Sequence, residues 1–157
     1  MSGPGAHKPD PAGPAKTPRF TAVKPAPKAL RDFHRPGLWL ALWALMIAAV
    51  VTGSLLPASD LLPVPFAGFD KLEHFFGYAA LSACAAMLFA RMRAQALAAA
   101  GLVALGIGLE VAQAALTASR QADPADAMVN TLGVLAGLAV AATPLARLLQ
   151  RLDARWR

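Results

Sequence analysis

Apolar and polar positions along the chain separate into blocks instead of alternating. A polar, proline-rich stretch runs to residue 36, and four long apolar blocks fill most of the remainder. These blocks run from about Leu38 to Leu56, Leu72 to Ala90, Ala94 to Leu116 and Ala127 to Leu145. Each is close to the roughly 20 residues that an α-helix needs to cross the hydrocarbon of a bilayer. The pattern predicts an all-α fold, a polytopic membrane bundle of four transmembrane helices behind a disordered N-terminal tail. It divides the chain into a basic Pro/Ala-rich tail (1–36), a helical membrane domain (37–146) and a short basic C-terminal end (147–157).

Composition agrees with that division. The 157 residues are 57% hydrophobic and only 15% charged, whereas a soluble domain carries about a quarter charged residues. The tail has too little apolar surface to order itself and is expected to stay extended. Cys84 stands alone, so no intramolecular disulfide is available. The first apolar run begins behind a long polar segment, which suits an uncleaved signal anchor better than a cleavable leader. Trp39 and Trp43 fall at one end of that run, a usual place for interfacial aromatics.

Charge adds an orientation. Of the 15 Lys and Arg residues, 13 fall in the tail, in the turn at Arg91 and Arg93, or at the C-terminal end; Lys71 and Arg120 are the exceptions. The positive-inside rule then puts both termini in the cytoplasm. A basic tail beside a membrane is expected against anionic lipid. Without aromatic interleaving or a known motif, nucleic acid is not an expected partner. Membrane lipid is, and nothing in the sequence decides the oligomeric state.

With that orientation, the polar residues of the apolar region gather at the outer end of the bundle. "FDKLEHFFGY" opens the second block, "LEVAQAALTASR" closes the third, and "QADPADAMVNTLG" opens the fourth. Some of these groups are ordinary helix starts. Asp70 followed by Glu73 has the spacing of a capping box, and Asp123-Pro124 followed by Asp126 that of a capped, proline-initiated helix. Lys71 reads as a headgroup-level anchor.

Others fit that account less well. Asp70, His74 and Tyr78 are four apart and share one helical stripe, as do Asp126 and Asn130, while Glu110 and Gln113 are three apart on another. Glu110 falls about 9 Å inside the end of its helix. A charge at a helix centre in lipid costs about 2.5–3.5 kcal/mol on insertion scales, so Glu110 is expected to face the interior with His74 or Arg120 as partner. Gly133 and Gly137, four apart, are expected to pack helices closely.

The ordered set Asp70-Lys71-x-x-His74-Phe75-x-x-Tyr78, then Glu110-x-x-Gln113, then Arg120, Asp123, Asp126, Asn130, Gly133 and Gly137 resembles the VanZ-like family of small bacterial membrane proteins. The resemblance spans about Leu38 to Leu145 and leaves out the tail. It implies an integral membrane protein of the cell envelope, a family whose founding member is linked to low-level resistance to the glycopeptide teicoplanin. It also implies that Asp70, His74, Glu110, Gln113, Arg120, Asp126 and Asn130 belong together, the set that the helical faces reach independently.

Three functions compete. In the first, an outer-facing pocket formed by Asp70, Lys71, His74, Tyr78, Glu110, Gln113, Arg120, Asp123, Asp126 and Asn130 binds a lipid headgroup or an envelope precursor. Lys71 and Arg120 would hold its anionic group. In the second, His74 and Glu110 are an acid–base pair of a membrane-embedded enzyme, although Ser54, Ser59, Ser82, Ser119 and Cys84 show no activating partner. In the third, the cluster only locks the helices of a non-catalytic subunit. A metal held by His74, Asp70, Glu110 and Asp126 is chemically conceivable. One histidine with ligands spread over three helices argues against it, so no metal and no cofactor is expected.

Overall fold

The computed structural model describes residues 28–56, 66, 68–116 and 123–156. Among them the chain is helical: α1 (Pro36–Leu55), α2 (Phe69–Leu88), α3 (Met92–Leu116), α4 (Pro124–Leu138) and a short α5 (Leu148–Arg155), with 3-10 turns at Ala139–Ala142 and Pro144–Arg147. Three helical segments are long and apolar enough to cross a membrane, namely Pro36–Leu55, Met92–Leu116 and Pro124–Ala142. The second apolar block, α2, is not among them. Tyr78, Leu81, Ser82, Ala85, Ala86 and Leu88 on it are all buried, and it packs against α1, α3 and α4, while Asp70 and Glu73 near its start are exposed. Large apolar side chains point outward elsewhere, including Leu45, Leu97, Ile107, Val111, Met128, Leu132 and Leu135. A soluble protein seldom leaves so much contiguous apolar surface uncovered.

The helices run alternately up and down, so α2 and α4 are parallel, and they make the most extensive contact in the molecule. Glycine makes that approach possible. A Cβ on Gly133 would strike the Phe75 carbonyl oxygen, and one on Gly137 would strike the Ala79 carbonyl oxygen and approach the Ala83 nitrogen at 2.7 Å. Between them the Ser82 hydroxyl donates to the Val134 carbonyl at 2.7 Å. The small-residue spacing thus packs helices as expected. Around this seam Tyr78, Leu81, Ala99, Leu102 and Val134 form the core, with Trp43, Ile47 and Val50 laid against it from α1.

The opposite end of the bundle departs from the sequence reading in three ways. First, the last nine residues of the expected disordered tail are placed: Arg31 N–H donates to Leu88 O at 2.9 Å and Ala90 N–H to Ala29 O at 2.8 Å. A segment without its own periodicity is fixed here by backbone groups at and just beyond the end of α2 that the helix leaves unpaired. Residues 1–27 lie outside the described residues. Second, Trp39 is no interfacial aromatic. It is 6% exposed, its indole N–H donates to Asp153 at 2.9 Å, and its ring stacks on Trp156 at 5.9 Å. Third, the fourth block is not one helix to Leu145. Pro144 disfavours helical geometry in the residue before it, Thr143 is extended (φ −111°, ψ 164°), and α5 turns back to dock on the start of α1.

Asp153 organises that docking and was not visible in the sequence pattern. It is 3% exposed. Burial opposes its ionisation, but the backbone N–H of His34, the Trp39 indole and the backbone N–H of Arg35 outweigh it and hold the carboxyl below its ordinary value of 3.8.

Two outcomes are expected. Replacing Gly133 or Gly137 by alanine should destabilise the protein by about 1–3 kcal/mol through overpacking. Gly101→Ala and Gly108→Ala, whose Cβ atoms meet nothing within 4 Å, should cost nothing; thermal melts of the four variants in detergent check this. The Asp153 clamp is lower in pKa folded than unfolded, so its contribution is present above about pH 4 and lost as pH falls through the depressed value. Acidification should therefore unstack Trp156 from Trp39 and change tryptophan emission, and Asp153→Asn should remove that acid transition.

Candidate functional site

The C-terminal ends of α1 and α3 and the N-terminal ends of α2 and α4 meet at the other end of the bundle. Because α2 and α4 are parallel, their first turns lie side by side and pair rung by rung. The Lys71 ammonium donates to Asp123 at 2.8 Å and to Asp126 at 2.7 Å. One turn further in, His74 Nδ1 lies 3.1 Å from Asn130 Oδ1. The oxygen accepts, so Nδ1 carries the proton in this pairing and Nε2 keeps its lone pair.

α4 starts as its sequence predicts. Asp123 is the N-cap and accepts from the Ala125 N–H at 2.8 Å, with Pro124 in the first turn. The Lys71 ammonium, and after it the Ala125 N–H, hold the Asp123 carboxyl below its usual range. α2 starts differently. Its N-cap is Gly68, at φ +85°, with no side-chain cap bond. Asp70 and Glu73 are therefore not a capping box but first-turn acids left free to line the site. Gly68 tolerates this left-handed geometry because it has no Cβ.

α3 contributes from below. Glu110 is 5% exposed; its Oε2 accepts the Asp123 backbone N–H at 3.3 Å, while Oε1 has no hydrogen-bond partner among the described residues. Gln113 donates to the Ser54 carbonyl at 2.6 Å and so ties α3 to the end of α1. The Tyr78 hydroxyl, on a residue 1% exposed, is also without a partner. Above these groups opens a cavity of about 500 Å³ whose polar lining includes Asp70, Glu73, His74, Tyr78, Gln113, Asp123 and Asp126.

Nine of the ten residues singled out from sequence are thus brought to one end of the bundle, while Arg120 lies outside the described residues. Two roles change. Lys71 is neither a headgroup anchor nor a spare cation, since both of its close partners are carboxylates of α4. Glu110 accepts from the Asp123 backbone N–H and lies near His74 without a hydrogen bond to it, while Arg120, the other partner foreseen, lies outside the described residues. The spread of His74, Glu110 and Asp126 over three helices, which argued against a metal, is undone by packing. One ligand atom from each lies within 4.8 Å of the others.

Gly106 of α3 also packs against this site. A Cβ there would come within 3.3 Å of Asn130 and of the Tyr78 hydroxyl. It sits four residues before Glu110 on the same stripe, a spacing visible in the sequence. Comparison with protein-family models, with curated proteins and with solved structures finds no match.

The Lys71 bridge is partly exposed, so each of its pairs should contribute at most about 1 kcal/mol. Its larger effect is local. Lys71→Met should leave neighbouring carboxylates unopposed and speed hydrogen exchange at Ala125 to Ala127, the first turn of α4. Adding Asp126→Asn to Lys71→Met should restore part of the protection, a coupling that a double-mutant cycle reads directly.

Proposed function

We propose that the chain is an integral membrane protein of the bacterial cell envelope, similar to the VanZ-like family, which receives the polar headgroup of an envelope lipid or precursor in the cavity between α1, α2 and α4. In this reading α2 is the fourth membrane span. It is as long as α1, at 20 residues each, and its buried face packs against its neighbours, so it need not be apolar all round. The distribution of Lys and Arg puts both termini in the cytoplasm and the cavity at the outer face of the inner membrane.

The observation that carries the reading is a polar cavity of about 500 Å³ at one end of an otherwise apolar bundle. Its volume is within the range of small-ligand sites, about 300–1,000 Å³. The lining also revises what it would hold. With Lys71 engaged by Asp123 and Asp126, and with Asp70 and Glu73 at the wall, the protein presents carboxylates to the ligand. Amine and hydroxyl groups of a headgroup suit such a lining directly.

The test is growth of a deletion strain under teicoplanin and under detergent stress. Wild type, Glu110→Gln and His74→Ala are compared at matched membrane levels. Wild type alone is expected to restore tolerance. If all three restore it equally, the cavity is not what serves the envelope.

A further inference from the structure

We propose that His74, Glu110 and Asp126 form a binding centre for one first-row divalent cation, of the zinc or manganese kind, at the floor of the cavity. The centre lies in the same cavity as the reading above, yet it rests on the ligand geometry alone and not on what the cavity receives.

Four observations converge. A ring nitrogen of His74 and one carboxylate oxygen each of Glu110 and Asp126 lie within 4.8 Å of one another, close enough for a single ion with bonds of about 2.0–2.2 Å after small side-chain adjustment. Glu110 is 95% buried, being 5% exposed, and its Oε1 has no hydrogen-bond partner among the described residues. A carboxylate oxygen in that position is costly unless something positive meets it. Asn130 Oδ1, 3.1 Å from His74 Nδ1, fixes the ring in the tautomer whose Nε2 lone pair is available, the outer arrangement that metal-bound histidines generally show. Finally, the charges are unbalanced. Among the described residues, the one ammonium of Lys71 is shared by Asp123 and Asp126 and no ammonium pairs with Glu110, which leaves negative charge here for a divalent cation to meet.

One imidazole with two carboxylates favours a transition ion over magnesium or calcium, which prefer all-oxygen shells. Three protein ligands also leave a coordination position open, as in catalytic sites. Two of the three ligands, His74 and Asp126, line the cavity together with Tyr78. A cation there gives the acidic cavity the one thing it lacks, a positive centre for a phosphate or carboxylate oxygen of the incoming molecule.

The experiment uses untagged full-length protein in detergent, stripped with a chelator, passed through a desalting column and titrated with Zn²⁺ and with Mn²⁺. Bound metal is counted by mass spectrometry and the heat of binding is measured by calorimetry. One ion per chain is expected. Glu110→Gln and His74→Ala should weaken binding at least about 100-fold, and Asn130→Ala about 10-fold by releasing the ring.

Asp70→Asn, which alters the cavity wall but not the three ligands, should leave binding unchanged, as should His34→Ala. Each variant is scored only where its circular dichroism and melting match wild type, and Glu110→Gln, which keeps its shape, is the variant that decides. Absence of stoichiometric binding, or full affinity in Glu110→Gln, overturns the proposal. It would leave a proton on Glu110 as the occupant. This readout contains no lipid and no growth assay, so it fails or succeeds separately from the envelope reading.

Discussion

Where Gly133 and Gly137 cross α2, the two backbones lie so close that no Cβ fits between them. Other features of the site end depend on that contact. In an up-down bundle, α2 and α4 are the parallel pair, which an ordinary four-helix arrangement holds apart across a diagonal. Glycine removes the separation. Two parallel helices in contact climb at the same 1.5 Å per residue, so their turns stay in step: Lys71 beside Asp126, His74 beside Asn130, Phe75 beside Gly133, Ala79 beside Gly137. The lower rungs of this ladder are backbone against glycine, and the upper rungs are polar. The same seam that binds the helices therefore aligns the site.

The seam also bears on how α2 carries Asp70, Lys71, Glu73 and His74 in an otherwise apolar bundle. Lipid penalises charge on surfaces that face it and much less on surfaces that face protein. α2 packs against α1, α3 and α4, with its apolar outer face at Leu72 and Phe76. α1 lays Trp43, Ile47 and Val50 on the core and leaves Leu42, Leu45 and Met46 exposed. A helix with a polar start, packed against helices with apolar outer faces, is how this chain places ionisable groups at one end of a greasy bundle.

At the other end, Asp153 performs for α5 what the glycines do for α4. Backbone and indole N–H groups converge on its carboxylate and fold the basic C-terminal end against the entry to α1. The two ends thus use opposite chemistry, a paired anion at one and a group of acids at the other. Among the described residues, the second group holds one buried carboxylate oxygen without a partner, on Glu110, and in a protein interior such an atom is uncommon.

Much of this was legible in the amino-acid order. Block length determined the helical class and nearly all the helix limits. The four-residue spacing of His74 and Tyr78, of Asp126 and Asn130, and of Gly133 and Gly137 determined which groups share a face, because an α-helix repeats every 3.6 residues whatever surrounds it. Asp123-Pro124 determined where α4 begins. Periodicity within one helix says nothing about distance between helices, however. That Lys71 would engage Asp123 and Asp126 was decided by the approach of α2 to α4. The convergence of His74, Glu110 and Asp126 from three helices depended on the same packing. So did the fate of Trp39 and Asp153, residues 114 apart in sequence, whose pairing required α5 to turn back after Pro144. Local order specifies which side chains a helix presents together; only packing specifies what they meet.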